Sequence, residues 1–417
     1  MSGKYYFFYS NSKNSCCFFL TDRNKFDAQE QNAAPGRHRE LSIISGVFSL
    51  LTAECVAAIF YLLNCAAIRK LINKNVKVMK KSILVFGVLF VVFASCGTKK
   101  KGDNLSAPVS VIFDTDMGPD YDDAGALAML HAMADSNECR ILATVASNKH
   151  QRIAAVLNVF NTYFGRPEIP VGVPVGNAAD MGAPQKWDSL ITATYPHKLK
   201  SNDQAEDALK LYRRILAAEP DSSVTIVTVG FLTNMANLLA SNGDELSPLD
   251  GASLIRKKVK RLVCMAGNFD DPAETFKEFN VVKDAASAKA AFDGWPTPII
   301  FSGFEVGVKI FTGLPLIHND RISNSPVKDV FARSIPLDPN DKNGRMSWDE
   351  TAVLAAVRGH EKYFEAETGK IICRTDGTNG WDKQGTRDRF LKIKMPVSEI
   401  EKTLNDLIMH QPLKGGQ

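Results

Sequence analysis

From about residue 105 onward, short apolar runs rich in β-branched residues alternate with longer stretches of helical periodicity. Val109 to Phe113, Ile141 to Val145, Val224 to Val229, Leu262 to Met265 and Pro298 to Phe301 are apolar with little alternation, the pattern of strands buried on both faces. Between them, Asp122 to Ala134, Gln151 to Tyr163, Asp203 to Ala217 and Asp284 to Phe292 carry helical patterns. That order predicts an α/β fold with a mostly parallel central sheet flanked by helices, Rossmann-like and open, joined by right-handed crossovers. Gly307 to Ser347, with its Pro, Gly and Asn residues, predicts loops and short helices beside the sheet. Long irregular insertions of this kind often lie over a site.

Upstream the pattern changes. Leu41 to Ile68 is apolar apart from Glu54, and Ser82 to Ser95 is apolar after Met79-Lys80-Lys81. The second segment has a charged start, a short apolar core and the small pair Ala94-Ser95 just before Cys96, which resembles a bacterial lipoprotein signal, with Phe93 where Leu is usual. The resemblance implies removal of residues 79–95, lipidation of the Cys96 thiol, and a polar tether over residues 96–106. The expected location is then the bacterial cell envelope, membrane-anchored through lipid and facing the periplasm or the surface. A short uncleaved membrane anchor is the alternative. Because Met79 opens a complete signal by itself, residues 1–78 are expected to be an over-extended reading frame or, if translated, a membrane segment, since Leu41 to Ile68 is long enough to span.

Charge refines this picture. The formal net charge is +4, but residues 1–95 hold 12 Lys/Arg against 5 Asp/Glu, leaving 38 against 41 for the remainder. The globular part, residues 107–417, is thus mildly acidic overall and carries no nucleic-acid footprint. Its three cysteines, Cys139, Cys264 and Cys373, lack metal-ligand spacing and are read as buried thiols rather than a disulfide framework.

The candidate chemistry lies where the first apolar run ends. Val111-Ile112-Phe113 leads into five aspartates within ten residues, Asp114, Asp116, Asp120, Asp122 and Asp123, followed by a helical run. Open α/β sheets bind ligands at the carboxyl ends of their strands. Carboxylates this crowded raise one another's pKa unless a cation is present. Helix-dipole stabilisation of Asp122 and Asp123 is worth only about 0.3–1 kcal/mol each. An all-oxygen donor set without nearby His or Cys favours Ca²⁺ or Mg²⁺ over zinc.

With this cluster the sequence resembles the nucleoside hydrolase family, the inosine-uridine preferring nucleoside N-ribohydrolases, whose first strand ends in Asp-x-Asp-x-Gly-x-Asp-Asp. Here Asp114-x-Asp116-x-Gly118 is followed, after two extra residues, by Asp122-Asp123-Ala124. Further matches come in the family's order: Asn148, Val229-Gly230-Phe231-Leu232-Thr233-Asn234, Glu278-Phe279-Asn280 and Trp348-Asp349. The resemblance implies Ca²⁺-dependent hydrolysis of the N-glycosidic bond of ribonucleosides. It implies Ca²⁺ ligation by Asp116, Asp123 and Asp349 and by the Val229 carbonyl, with Asp116 also taking the proton of the attacking water. Asp122, Asn148, Asn280 and Asp349 are implied to hold the ribose hydroxyls, and Glu278 to lie near the 5′-hydroxyl.

Trp348 departs from the His that many members carry before the last aspartate. Indole has no proton to give at neutral pH, so the implied substitute is stacking on the base, as in the purine-specific branch. Purine preference follows as an expectation, with Trp187 or Tyr195, placed in a loop-like stretch, as the other side of the stack. His131, on the apolar face of the first helix, is read as structural. Two other readings remain: a phosphotransferase of the haloacid dehalogenase type, disfavoured by the loop after Gly118, and a lipid-anchored nucleoside- or sugar-binding protein of the same fold without turnover. A homo-oligomer is compatible with all of them.

Overall fold

The computed structural model describes residues 107–413; the lipoprotein signal, Cys96, the tether and the upstream extension lie outside the described residues. Among the described residues no helix is long and apolar enough to cross a membrane.

The strands are β1 (Val109–Thr115), β2 (Cys139–Ala146), β3 (Val171–Val173), β4 (Glu206–Asp207), β5 (Val224–Thr228), β6 (Val259–Met265), β7 (Ile299–Ser302), β8 (Phe311–Thr312), β9 (Arg345–Met346), β10 (Phe364–Cys373), β11 (Asn379–Asp382) and β12 (Asp388–Ile393). Ten of them form one sheet in the order β11-β10-β12-β7-β6-β5-β1-β2-β3-β4. Pairing is parallel from β12 across to β4, and only β10 runs antiparallel to its neighbours. The five strands expected from the apolar runs are therefore present, and the sheet is mostly parallel as expected.

Alternation along β1 explains the layering. Val111 and Phe113 join a core under the helices Asp122–Asp135, Ile153–Tyr163, Trp348–Arg358 and Val397–Ile408, while Ile112 points to the opposite core. That second core lies under the helices Ala208–Ala218, Thr233–Ala240, Gly251–Lys258 and Ala285–Gly294. Helix Asp122–Asp135 is buried almost all round, which is why its sequence is apolar on every face rather than along one stripe. His131 within it is fully buried, hydrogen-bonded to Asn161 at 3.1 Å and stacked on Phe164. Burial pushes its pKa down to about 3, so it is a neutral core residue. Cys139, Cys264 and Cys373 are buried free thiols.

Two expectations are corrected. Asp203 to Ala217 is not one helix: Glu206–Asp207 pairs with β3, and Asp207 then caps the helix Ala208–Ala218 by accepting from the Lys210 amide at 2.9 Å. Trp187 is not a loop aromatic but the first residue of the helix Trp187–Thr194, with its ring fully buried in the core. The irregular stretch before Trp348 holds loops and short helices as expected, among them the nine-residue Pro326–Ser334, and adds the antiparallel pair β8–β9. The β10–β12 ladder is an addition that the apolar runs did not announce, because β10 alternates buried and exposed positions instead of running apolar.

Candidate active site

β1 and β5 are adjacent, with Asp114 opposite Thr228. From β1 the sheet grows through β2 and β3 to one side, and from β5 through β6 and β7 to the other. A crevice opens between carboxyl ends where the strand order diverges in this way. The approach is tight: a Cβ on Gly230 would stand 2.3 Å from the Asp116 nitrogen and 2.5 Å from Ser147 Oγ, so only glycine lets the chain beyond β5 pack there. The result is a cavity of about 300 Å³ whose lining includes Asp120, Glu278, Asn280, Arg345, Trp348 and Asp349, with Val229 on its wall.

The five aspartates do not act alike. Asp114 serves the architecture, accepting from Tyr212 Oη and Asn234 Nδ2 at 2.8 Å each. Asn234 also donates to the Ala146 carbonyl at 2.7 Å, so it ties β1 to β2 instead of capping the helix Thr233–Ala240. Asp120, Asp122, Asp123 and Asp349 each bring an oxygen within 4.8 Å of the others'. Asp116 is buried beside this quartet and not part of it. Burial, then the neighbouring charges of Asp120 and Asp122, raise its pKa well above the carboxylate range. Burial pushes Asp122 up to about 6 against the opposing charge of Arg345, burial and then the charge of Asp116 push Asp123 up to about 7, and burial with the charges of Asp122 and Asp123 holds Asp349 well above its usual value.

Asp123 completes the case for a cation. Thr115 Oγ1 donates to its Oδ1, while its Oδ2 is buried with no hydrogen-bond partner. Within this gathering of carboxylates, the orphaned buried oxygen of Asp123 beside Asp349, with oxygen-only donors around them, fits a hard divalent ion.

Opposite the carboxylates, Glu278 caps the short helix Phe279–Lys283, accepting from the amides of Asn280 (2.9 Å), Gly267 (3.1 Å) and Val281 (3.2 Å). Burial pushes its carboxyl up to about 7. Asn280 Nδ2 donates to the carbonyls of Val229 (3.0 Å) and Met265 (3.2 Å), and its Oδ1 accepts nothing from the described residues. Trp348 forms the aromatic wall: its ring stacks on Phe304 with centroids 5.5 Å apart, and its Nε1 donates to the Phe304 carbonyl at 2.9 Å. Gly307 makes room for it, since a Cβ there would lie 2.3 Å from Trp348 Cδ1.

Comparison with known proteins agrees with this architecture. Residues 111–398 match the family model described as inosine-uridine preferring nucleoside hydrolase. The chain belongs to this family. The inosine-uridine preferring nucleoside hydrolase of Crithidia fasciculata is 26% identical over 204 residues, an alignment covering 46% of this chain and 60% of that enzyme. The chain thus spans less than two thirds of the curated relative's length. Among solved structures, a plant nucleoside hydrolase superposes with a TM-score of 0.55 at 21% identity, covering 72% of this chain and 99% of its own. The inosine-uridine preferring nucleoside hydrolase of Bacillus anthracis gives 0.54 at 16% identity, with 72% and 99% covered. At these identities the structural likeness speaks for the fold.

Within this nucleoside hydrolase fold, several residues singled out by the sequence stand elsewhere than expected. Asn148 has no hydrogen-bonding capacity left for a sugar: Nδ2 donates to the carbonyls of Asp116 (3.0 Å) and Met181 (2.6 Å), and Oδ1 accepts from the amides of His150 and Met181. Asp122 is equally committed, with Arg345 on one oxygen and the amides of Trp348 and Asp349 on the other. Trp187 and Tyr195 do not line the cavity; Tyr195 donates to Asp329 at 2.6 Å. Phe304, not either of these, faces the Trp348 ring. Arg345 was missed altogether, because a lone arginine in an irregular stretch carries no sequence signal until β8–β9 pairing delivers it to the aspartates.

Proposed function

We propose that this chain hydrolyses the N-glycosidic bond of ribonucleosides, with Ca²⁺ as its cation and a preference for purine bases. The observation that carries the reading is the pairing, in one cavity, of a converging carboxylate floor with the Trp348–Phe304 wall. A bound divalent cation would supply Lewis-acid activation of water, held by Asp123, Asp349 and the Val229 carbonyl with Asp116 beside them.

The chain's own residues account for the remaining work. Asp116, with its proton affinity held up by burial and by neighbouring carboxylates, is suited to take the water's proton. Asn280 and Asp349 line the cavity and would hold the sugar hydroxyls, with Glu278 towards the 5′ end. Carboxylates below the ring also favour the positive charge that develops on the sugar as the bond breaks. Trp348 acts as a face, since its single N–H is already donated to Phe304. Stacking favours a large base and its cationic form, leaving solvent to protonate a purine imidazole nitrogen.

The test is hydrolysis of a panel of purine, pyrimidine and nicotinamide ribosides by the purified protein, with and without chelator. Release of base that EDTA abolishes and Ca²⁺ restores is expected, with inosine or guanosine ahead of uridine. Saturable riboside binding without turnover in any condition would favour the non-catalytic binding reading. From the sequence we also propose that Cys96 is lipidated and anchors the protein in a bacterial envelope.

A further inference from the structure

The two residues inserted into the aspartate motif change which carboxylate faces the cavity. Asp122 is fully buried and saturated: Arg345 Nε (3.0 Å) and Nη2 (2.8 Å) donate to Oδ1, and the amides of Trp348 (3.1 Å) and Asp349 (3.2 Å) donate to Oδ2. Four donors fill its lone-pair sites. The two amides belong to the first turn of the helix Trp348–Arg358, so Asp122 caps that helix from across the core. Its work is to lock the two helix starts together.

Asp120 is differently placed. It lines the cavity, its side chain is 36% exposed, and its ligand oxygen lies in the quartet. One of its oxygens is engaged in an ion pair, Oδ2 lying 2.8 Å from Arg345 Nη2. The other accepts no hydrogen bond from the described residues. Arg345 is itself packed on both sides: its guanidinium lies over the Tyr121 ring at 4.8 Å and the Trp348 ring at 5.1 Å, and Asp341 lies 3.7 Å away. Tyr121 donates to Asp341, closing the support around it.

We propose that Asp120 is the carboxylate that accepts hydrogen bonds from the vicinal hydroxyls of the sugar, in place of Asp122, and that Arg345 is the positioning residue holding it there. The assignment rests on the riboside-hydrolase reading above. A rigid planar guanidinium shared between the two aspartates fixes the separation of their oxygens, which a flexible ammonium does not. It also compensates one negative charge of the quartet from its place in the cavity lining.

The experiment compares Asp120→Asn and Asp122→Asn in the full protein. The probe is a C-riboside, whose carbon–carbon link resists hydrolysis, together with its 2′- and 3′-deoxy forms; Ca²⁺ binding is titrated separately by calorimetry. For Asp120→Asn, C-riboside affinity should fall about 10- to 100-fold, the scale of one charged hydrogen bond. Preference for the hydroxylated over the deoxy probe should collapse, while Ca²⁺ affinity stays within about threefold. Asp122→Asn should lower the melting temperature and, where folded, keep the hydroxyl preference. Undiminished hydroxyl preference in Asp120→Asn overturns the proposal. So does a Ca²⁺ affinity that falls as far as the riboside affinity, which would make Asp120 a cation ligand. If the wild-type protein itself neither binds the C-riboside nor cleaves nucleosides, the hydrolase reading fails and takes this assignment with it.

Discussion

Asp123→Asn is the substitution whose consequence can be worked furthest from the structure. The wild-type carboxyl is buried, accepts from Thr115 on one oxygen and has no partner on the other. Burial followed by the charge of Asp116 pushes its pKa from 3.8 to about 7. Above pH 7 the folded protein therefore holds a charge that the unfolded chain holds at no cost, and without a cation the penalty is about 4 kcal/mol. An asparagine keeps the acceptor for Thr115 and turns the orphaned oxygen into an uncharged donor facing the other carboxylates. At pH 8 the cation-free variant should then melt higher than the cation-free wild type, by roughly 8 °C at about 2 °C per kcal/mol. Ca²⁺ at about 100 times its Kd should stabilise the wild type by about 2.7 kcal/mol, or roughly 5 °C, and leave the variant unmoved. Scanning calorimetry in EDTA and in Ca²⁺ measures all four states. A variant that melts below the wild type in EDTA, or that keeps the wild-type Ca²⁺ shift, would refute the reasoning.

Without cation, the wild-type melting temperature should rise as pH falls from 8 towards 5, because folded Asp122 and Asp123 take up protons near pH 6 and 7, before their unfolded counterparts do near 4; a flat profile would count against a buried charge cluster. Ca²⁺ should flatten that rise, and its affinity should weaken over the same pH range. Trp348→Ala should lower turnover of inosine about tenfold, the scale of one aromatic stacking contact, and that of a nitrophenyl riboside much less; equal losses would reassign Trp348 to packing. Cys96→Ser should abolish incorporation of labelled fatty acid into the expressed protein, and undiminished labelling would place any lipid elsewhere.

The fold was legible because a parallel sheet buries both faces of its strands, which leaves apolar runs such as Val109 to Phe113 that need no partner to be recognised. The antiparallel strand β10 lacked that signal, and so did β3, which is only three residues long. Of the site, the sequence supplied the residue types: a strand running into clustered aspartates, the Glu278-Phe279-Asn280 and Trp348-Asp349 pairs, and the missing histidine. Those follow from local order along the chain, and they also carried the family resemblance that residues 111–398 bear out. What a side chain does with its lone pairs follows from contacts far along the chain. Asp122 was expected to hold sugar and is instead saturated by Arg345 and two amides more than 220 residues away. Asn148 holds the Met181 backbone, and Phe304 rather than Trp187 meets the Trp348 ring. Sequence spacing determined which carboxylates could gather at the end of β1; tertiary packing alone decided which of them kept a free oxygen, because hydrogen-bonding capacity is finite and is consumed by whichever donors the fold brings within reach.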